Sequence, residues 1–369
     1  MTLQEVSTGS AALAAAECYG RRAFVLAAIE EDPLMRATSV LNGRSWTVAA
    51  LVAVACAILG AAAATAGSSR SGAAKGTIAI SFPNATKQGA VNFEMKFAKK
   101  KAKQLGYKLV INDPGTDTNA AVNTLKTWIQ QRVNAIVTVA LDPKVYEGIA
   151  QQAMSNDIKW VTYGAPLPKQ DAIIDLQLRK GGVILGRLAG QWITRNKNRF
   201  EGAKANVALL TFESGEWARQ RRDGIVAGLN STAGGRYTIV ARQDALSQTE
   251  GLNVTNTLLQ AHPDLNVVLA VEETATEGAY QAFLNKGHKK NDPRVFLGGI
   301  DGTLKALQLL QAGNTMYRGS AALSLKSIGN AMITVPDNLL HGGKGNFLVP
   351  IAPLKAGDPR AAQFLSEWR

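Results

Sequence analysis

Asp301 ends an apolar stretch, Gly298-Gly299-Ile300-Asp301-Gly302, two residues ahead of a helix that starts at Thr303. An ionised carboxylate only accepts hydrogen bonds, and it accepts charge-assisted ones from the donors of a bound molecule. The same residue at that place can instead cap the helix. Arg221, in Arg221-Arg222-Asp223-Gly224, offers a planar fork of donors able to grip two adjacent oxygens. Trp217 precedes it by one helical turn, so both can face one side. Its ring suits either a ligand or a core. Glu272 and Glu273 follow the strand Val267–Val271, as contacts or as carboxylates favoured at a helix N-terminus. Phe82, Pro83 and Asn84 end the first strand, Asp142 ends the third and Tyr163 the fourth. Asp142 stands before Pro143, where a helix N-cap competes with a contact.

These groups bind; little in the chain makes or breaks bonds. There are three histidines. His262 sits in a turn beside Pro263, His288 in a Lys-rich loop and His341 beside Gly342-Gly343. No metal-ligand spacing occurs, and no Gly-rich phosphate loop follows a strand. The two cysteines, Cys18 and Cys56, both fall in the first 66 residues. Neither an enzyme nor a cofactor nor a metal site is expected.

The elements that must hold these residues alternate. Thr77–Phe82 is a run of strand formers. Val91, Met95, Ala98, Ala102 and Leu105 then recur at steps of four, three, four and three, which is helical periodicity, and Gly106 stands where a C-cap belongs. The buried strand Leu109–Ile111 comes next, then helix 119–132, strand 135–139, helix 143–156, strand 160–163 and the extended 173–176. A second series follows: helix 182–194, strand 206–211, helix 216–229, strand 237–240, helix 249–260, strand 267–271, helix 274–285, strand 294–297 and helix 303–312, then 316–322 and 325–340. Apolar strands alternating with amphipathic helices mean parallel sheets covered on both faces. There are too many strands for one core, so the expected class is α/β with two Rossmann-like lobes. Ligands bind such sheets at the carboxyl ends of the strands, which places the candidate residues in one shared cleft. Arg219 and Arg222 read as surface or inter-lobe charges.

Ahead of these lobes, Arg44-Ser45 leads into the apolar run Trp46–Leu59 and then Gly60-Ala61-Ala62-Ala63-Ala64-Thr65-Ala66. A basic flank, an apolar core and a small-x-small end form a signal-peptide pattern with cleavage near Ala66. Met35 with Arg36 makes the expected start, which leaves 1–34 as an over-called or disordered extension. The run of about 20 residues is also long enough for an uncleaved anchor, and Cys56 in Ala53-Val54-Ala55-Cys56 loosely fits a lipobox. Net charge is +13 for the whole chain. Removing four basic and five acidic leader residues leaves 37 basic against 23 acidic side chains, or +14. The lysines are spread along helices, with Lys99-Lys100-Lys101 as a solvated face. An exported domain with that pattern is not expected to bind nucleic acid.

The chain resembles the type I periplasmic binding proteins of the ribose-binding class over roughly Lys75 to Val349. The resemblance rests on Lys103-Gln104-Leu105-Gly106-Tyr107, Gly186-Arg187-Leu188-Ala189-Gly190, Gly251-Leu252-Asn253-Val254, Leu258-Leu259-Gln260-Ala261-His262-Pro263-Asp264 and Gly298-Gly299-Ile300-Asp301-Gly302. It implies two lobes joined by a three-crossover hinge, with passages near 175–179, 319–322 and 348–350. Residues 1–66 would be extension and signal peptide and 67–75 a linker. Residues 76–177 with 322–348 would form the N-terminal lobe, and 178–321 with 349–369 the C-terminal lobe.

The resemblance also implies that Asp301 and Arg221 hold ligand hydroxyls, that Trp217, Phe82 or Asn84 packs or contacts the ligand, and that Glu272 stands where the family commonly has an amide. Two departures matter. Gly164-Ala165 falls where ribose-like binders carry an Asp-Arg pair, and Ala90 and Val91 fall where two aromatics would stand. Tyr163 or Gln177 is left to supply a polar contact. The implied function is a monomeric periplasmic receptor that delivers a small ligand, most simply a sugar, to the permease of an ABC importer. A sensory receptor of the same fold is the alternative. A sugar-responsive repressor would need a helix-turn-helix where the apolar leader stands.

Overall fold

The computed structural model describes residues 74–87, 89–140 and 142–369. Cys18, Met35, Arg44, Cys56 and Ala66 lie outside the described residues, and so do the export calls made on them. The first half runs β1 (Thr77–Ser81), α1 (Ala90–Leu105), β2 (Lys108–Asn112), α2 (Thr118–Gln130), β3 (Ala135–Thr138), α3 (Pro143–Ser155), β4 (Lys159–Tyr163) and β5 (Ala172–Asp175). It continues with α4 (Leu178–Asn196), β6 (Ala205–Thr211), α5 (Glu216–Ala233), β7 (Tyr237–Asp244), α6 (Gln248–Ala261), β8 (Leu265–Ala270), α7 (Glu273–Asn285), β9 (Phe296–Asp301) and α8 (Leu304–Ala312). The chain finishes with β10 (Tyr317–Leu323), α9 (Leu325–Leu340), β11 (Phe347–Leu348), β12 (Ile351–Lys355) and α10 (Ala361–Ser366).

The strands form two six-stranded sheets with one plan, β11-β5-β4-β3-β1-β2 and β12-β10-β9-β8-β6-β7. All pairs are parallel except β10 with β12. Each sheet is covered on both faces. Ile78 and Ile80 of β1 join one cluster with Met95 and Met332, while Ala79 between them joins another with Leu125 and Trp160. Alternate side chains of a strand point to opposite faces, so one strand feeds two cores. In each sheet the order reverses beside the first strand, β1 or β6, and ligand crevices form at such switch points.

The chain passes between the sheets three times. The first passage is Leu176-Gln177 and the last Val349-Pro350, both within the expected windows. The second lies at Ser324, not at Gly319–Ala322, because Gly319 to Leu323 pair with β12 across the second sheet. Ala322 and Leu323 thus belong to that sheet. Gln177 ties two passages together: its Nε2 donates to the Val349 carbonyl at 2.7 Å and its backbone N–H to Asp175 Oδ1 at 2.7 Å. At the second passage Glu367 accepts from the Ser324 hydroxyl at 2.9 Å and from the Lys326 N–H at 3.0 Å.

Three further expectations shift. β2 is an edge strand and only half-buried. The strand expected at 294–297 runs instead from Phe296 to Asp301, through Gly298 and Gly299. Their small size is required by packing: a Cβ on Gly299 would lie 2.8 Å from the Glu273 Cα, and one on Gly298 would lie 2.6 Å from the Gly319 carbonyl oxygen. The two-residue β11 and six-residue α10 are too short to carry a periodic signal, and Pro353 interrupts β12.

Glycines also set how α5 meets α4. A Cβ on Gly182 would lie 2.0 Å from the Arg221 carbonyl oxygen, and one on Gly186 would lie 2.1 Å from that of Ile225. The two backbones therefore touch, and α5 is fixed against the helix that leaves the first passage. Gly186→Ala must push the helices apart and is expected to cost about 3 kcal/mol or more. Gly148→Ala, in the open middle of α3, is expected to stabilise by about 0.5–1 kcal/mol. Chemical denaturation of the two variants checks both signs.

Candidate functional site

Between the two sheets lies a cavity of about 790 Å³. It is walled by the carboxyl ends of β1, β3, β4, β8 and β9 and by the first turns of α1, α5 and α8. Phe82, Asn84, Tyr163, Trp217, Arg221, Glu272 and Asp301 all line it. The sequence-derived candidates therefore converge on one space. Asp142 does not; its carboxylate caps α3, accepting from the Lys144 N–H at 3.0 Å. Gln177 works at the hinge instead of in the cavity. Arg219 and Arg222 are surface charges paired with Glu216, Glu213 and Asp223.

The floor is an ion pair. Arg221 donates from Nη2 to Asp301 Oδ1 at 2.7 Å and from Nη1 to Oδ2 at 3.1 Å, and Nη1 also donates to the Val271 carbonyl at 2.7 Å. The guanidinium is 5 % exposed, whereas Asp301 keeps 24 % of its side chain open, towards the cavity. Arg221 Nε is buried and has no partner. Asp301 does not cap α8, because Thr303 does so itself by accepting from the Ala306 N–H. The Asp301 backbone is held at φ 123°, an uncommon conformation for a residue with a side chain. Glu273 clamps the turn that follows: it accepts from the N–H groups of Gly302 at 2.5 Å and Thr303 at 2.6 Å and from the Tyr317 hydroxyl at 2.8 Å. Strain of that kind persists where surrounding contacts over-determine it.

The walls are aromatic and aliphatic. Phe82 meets Tyr163 edge-on at 4.7 Å between centroids, and Trp217 lies 5.6 Å from the Arg221 guanidinium. Val91, Leu176, Leu178, Leu323 and Ile328 complete the apolar surface, and Gly164 and Ala165 also line it.

Residues 78–344 match the family model described as a periplasmic binding protein domain. The chain belongs to the periplasmic binding protein family. It is 26 % identical over 263 residues to the ribose import binding protein of Bacillus subtilis (strain 168), covering 70 % of this chain and 80 % of that relative. It is 28 % identical over 225 residues to a D-apiose import binding protein of Paraburkholderia graminis, covering 57 % of this chain and 64 % of that one. Among solved structures, a periplasmic solute-binding protein of Actinobacillus succinogenes with bound D-allose superposes with a TM-score of 0.69 at 19 % identity, covering 78 % of this chain and all of that one. One from Bacillus halodurans with bound myo-inositol gives 0.68 at 16 %, covering 80 % and 99 %. At those identities the likeness is one of fold.

This periplasmic binding protein carries a residue in its cleft that sequence reasoning missed. Glu94 projects from α1 and is 4 % exposed, and its Oε2 is buried without a partner. Its signal was present: it stands three residues after Val91 and four before Ala98, inside the apolar stripe. Burial, together with the charge of Asp301, pushes its carboxyl up to about 8. Glu272 is also pushed well above the usual carboxylate range by burial and by Asp301, to which it hydrogen-bonds. Burial raises Asp301 as well, but Arg221 and the Glu272 hydrogen bond pull it down. Both carboxyls are raised by burial, Glu272 further, because Asp301 has the Arg221 guanidinium beside it.

A carboxyl whose folded value lies above its unfolded one binds more protons in the folded state between the two. Its stabilising share is complete below about pH 4.5 and is lost as the pH rises through about 8. The melting temperature of the unliganded binding protein is thus expected to fall between pH 5 and pH 8. Glu94→Gln should flatten that fall. An unchanged slope in the variant would show that Glu94 is not buried as described.

Proposed function

We propose that this protein captures a small carbohydrate between its two lobes and hands it to an ABC importer outside the cytoplasm. The observation that carries the reading is the bidentate Arg221–Asp301 pair at the floor of a cavity walled by Phe82, Tyr163 and Trp217. An ionised carboxylate with open surface takes hydroxyl donors, and aromatic rings pack the C–H faces of a sugar. Relatives named as ribose and apiose import binding proteins, and neighbours holding D-allose and myo-inositol, support the same ligand class.

Capture needs two bodies and a hinge. The first body is the layer built on the sheet of β1 to β5 and β11. The second is the layer built on the sheet of β6 to β10 and β12, with the boundary moved from Gly319–Ala322 to Ser324. No bond is made or broken; the protein is a binding protein and not an enzyme. The receptor acts as a monomer in this reading. The leader ending near Ala66 would export it, with Cys56 as the alternative lipid attachment. The wall at Gly164-Ala165 has no side chain to grip ring hydroxyls, which argues for a ligand other than ribose.

Thermal-shift screening against sugars and polyols tests this. A saturating ligand is expected to raise the melting temperature, because it binds only the native state. Asp301→Asn, of the same shape, should weaken that ligand about 100-fold, and Arg221→Ala at least as much. Retained affinity in both variants would remove the pair from the site. No shift with any carbohydrate would contradict the ligand class.

A further inference from the structure

We infer that the preferred ligand is a glycoside, a hydroxylated ring seated at Arg221 and Asp301 whose apolar alkyl or aryl group packs against leucines at the hinge end of the cavity. The inference rests on the carbohydrate reading above and narrows its ligand class. Three observations support it.

The first is where the apolar side chains stand. Leu176 and Leu178 lie on either side of Gln177 in the first passage, and Leu323 and Leu325 on either side of Ser324 in the second. All four line the cavity, and so does Ile328, one turn after Leu325. The end of the cavity next to the hinge is therefore walled by aliphatic side chains. Leu176 Cδ1 lies 3.7 Å from where a Cβ on Gly164 would stand, so leucine occupies the space beside Gly164. On the other side, Leu304 at the start of α8 lines the cavity and keeps 40 % of its surface open. An apolar side chain that open in a cleft gains from an apolar group laid over it.

The second is how little of the polar lining is left for hydroxyls. The Thr274 hydroxyl donates to the Leu246 carbonyl at 2.6 Å, and that of Thr303 to Glu277 at 2.5 Å. The terminal nitrogens of Arg221 serve Asp301 and the Val271 carbonyl. The two polar residues set between the leucines are turned elsewhere, Gln177 to the Val349 carbonyl and Ser324 to Glu367. Asp301 keeps 24 % of its side chain open and takes donors at one end only. A sugar hydroxyl placed against the leucines loses its bonds to water and gains no replacement. A ligand with hydroxyls on one side and an apolar group on the other avoids that loss.

The third is size. The cavity holds about 790 Å³, in the upper part of the range of about 300–1,000 Å³ for pockets that bury drug-sized ligands. A single sugar ring fills a fraction of it. The ring at Asp301, packed on Trp217 or Phe82, leaves the leucine-walled end to a substituent.

The test is calorimetric titration of the protein with D-glucose, D-galactose and L-arabinose and with their methyl, propyl, phenyl and glyceryl glycosides, both anomers of each. Propyl and glyceryl groups share one carbon chain, and only the second carries hydroxyls. For at least one sugar the propyl glycoside is expected to bind about tenfold more tightly than the methyl one, from two further buried methylenes. The glyceryl glycoside should bind no more tightly than the methyl one. Leu176→Ser should lower the propyl-to-methyl ratio to about threefold or less, with Leu176→Ala as the milder variant where the serine one does not fold. Methyl or glyceryl glycosides that match the propyl and phenyl ones throughout would overturn the inference and leave carbohydrate capture standing. A ratio unchanged by the Leu176 substitutions would overturn it as well, since the apolar group would then lie away from the hinge. Binding of no free sugar and no glycoside would overturn the carbohydrate reading with it.

Discussion

Two charges on different elements, the buried Arg221 on α5 and the partly open Asp301 at the end of β9, fix the geometry around them. A pair this deep is tolerated only when both partners are hydrogen-bonded, because the cost of taking charges out of water is large. The structure meets that condition with two parallel N–H···O bonds and a third from Arg221 to the Val271 carbonyl at the end of β8. The strand ends, α5 and the turn after Asp301 are thereby locked to one another. Glu273 adds the second lock, below the turn. The glycines of α4 and α5 add a third, since Gly182 lets the Arg221 backbone rest against the helix that begins at the hinge. The Arg221–Asp301 pair and the start of α4 after the first passage are thus tied together through α5.

The opposite layer contributes a different chemistry. Its cavity wall is apolar apart from Tyr163, Asn84 and Glu94. Glu94 is expensive where it stands, with a carboxyl raised to about 8 and one oxygen unpartnered. An apolar residue would pack that stripe of α1 with less penalty. A buried ionisable group facing a cleft marks a functional site more often than a structural one. The C-terminal segment joins the two layers near the mouth: Trp368 lines the cavity and meets Phe93 of α1 at 5.3 Å between centroids, while the adjacent Glu367 caps the helix that follows the second passage.

Much of this was legible in the chain. Alternating periods of two kinds named the class, and the residues ending the strands named the site, because parallel sheets present their carboxyl ends to a crevice. Phe82, Asn84, Tyr163, Glu272 and Asp301 reached one cavity for that reason, and Trp217 and Arg221 joined them from the start of α5. What stayed hidden has physical causes. Glu94 was masked by its apolar neighbours, since a helical stripe reads as core even when one member is charged. The span of β9 was set short because Gly298-Gly299 carries no strand-forming side chain, whereas the fold needs both glycines as clearance. The passage at Ser324 was misplaced because β10 is held to its full length by β12, an edge strand whose sequence is interrupted by Pro353. Asp142 was legible down to its cap, since Pro143 after an Asp is a helix-start signal.

The most direct test of the central claim is a crystal structure of the protein with the carbohydrate that raises its melting temperature most. The account predicts the ligand between the two sheets, with polar atoms about 3 Å from the Asp301 carboxylate and from Arg221 and a C–H face against Trp217 or Phe82. A ligand bound outside this cavity, or bound within it while Arg221 and Asp301 touch only each other, would contradict it.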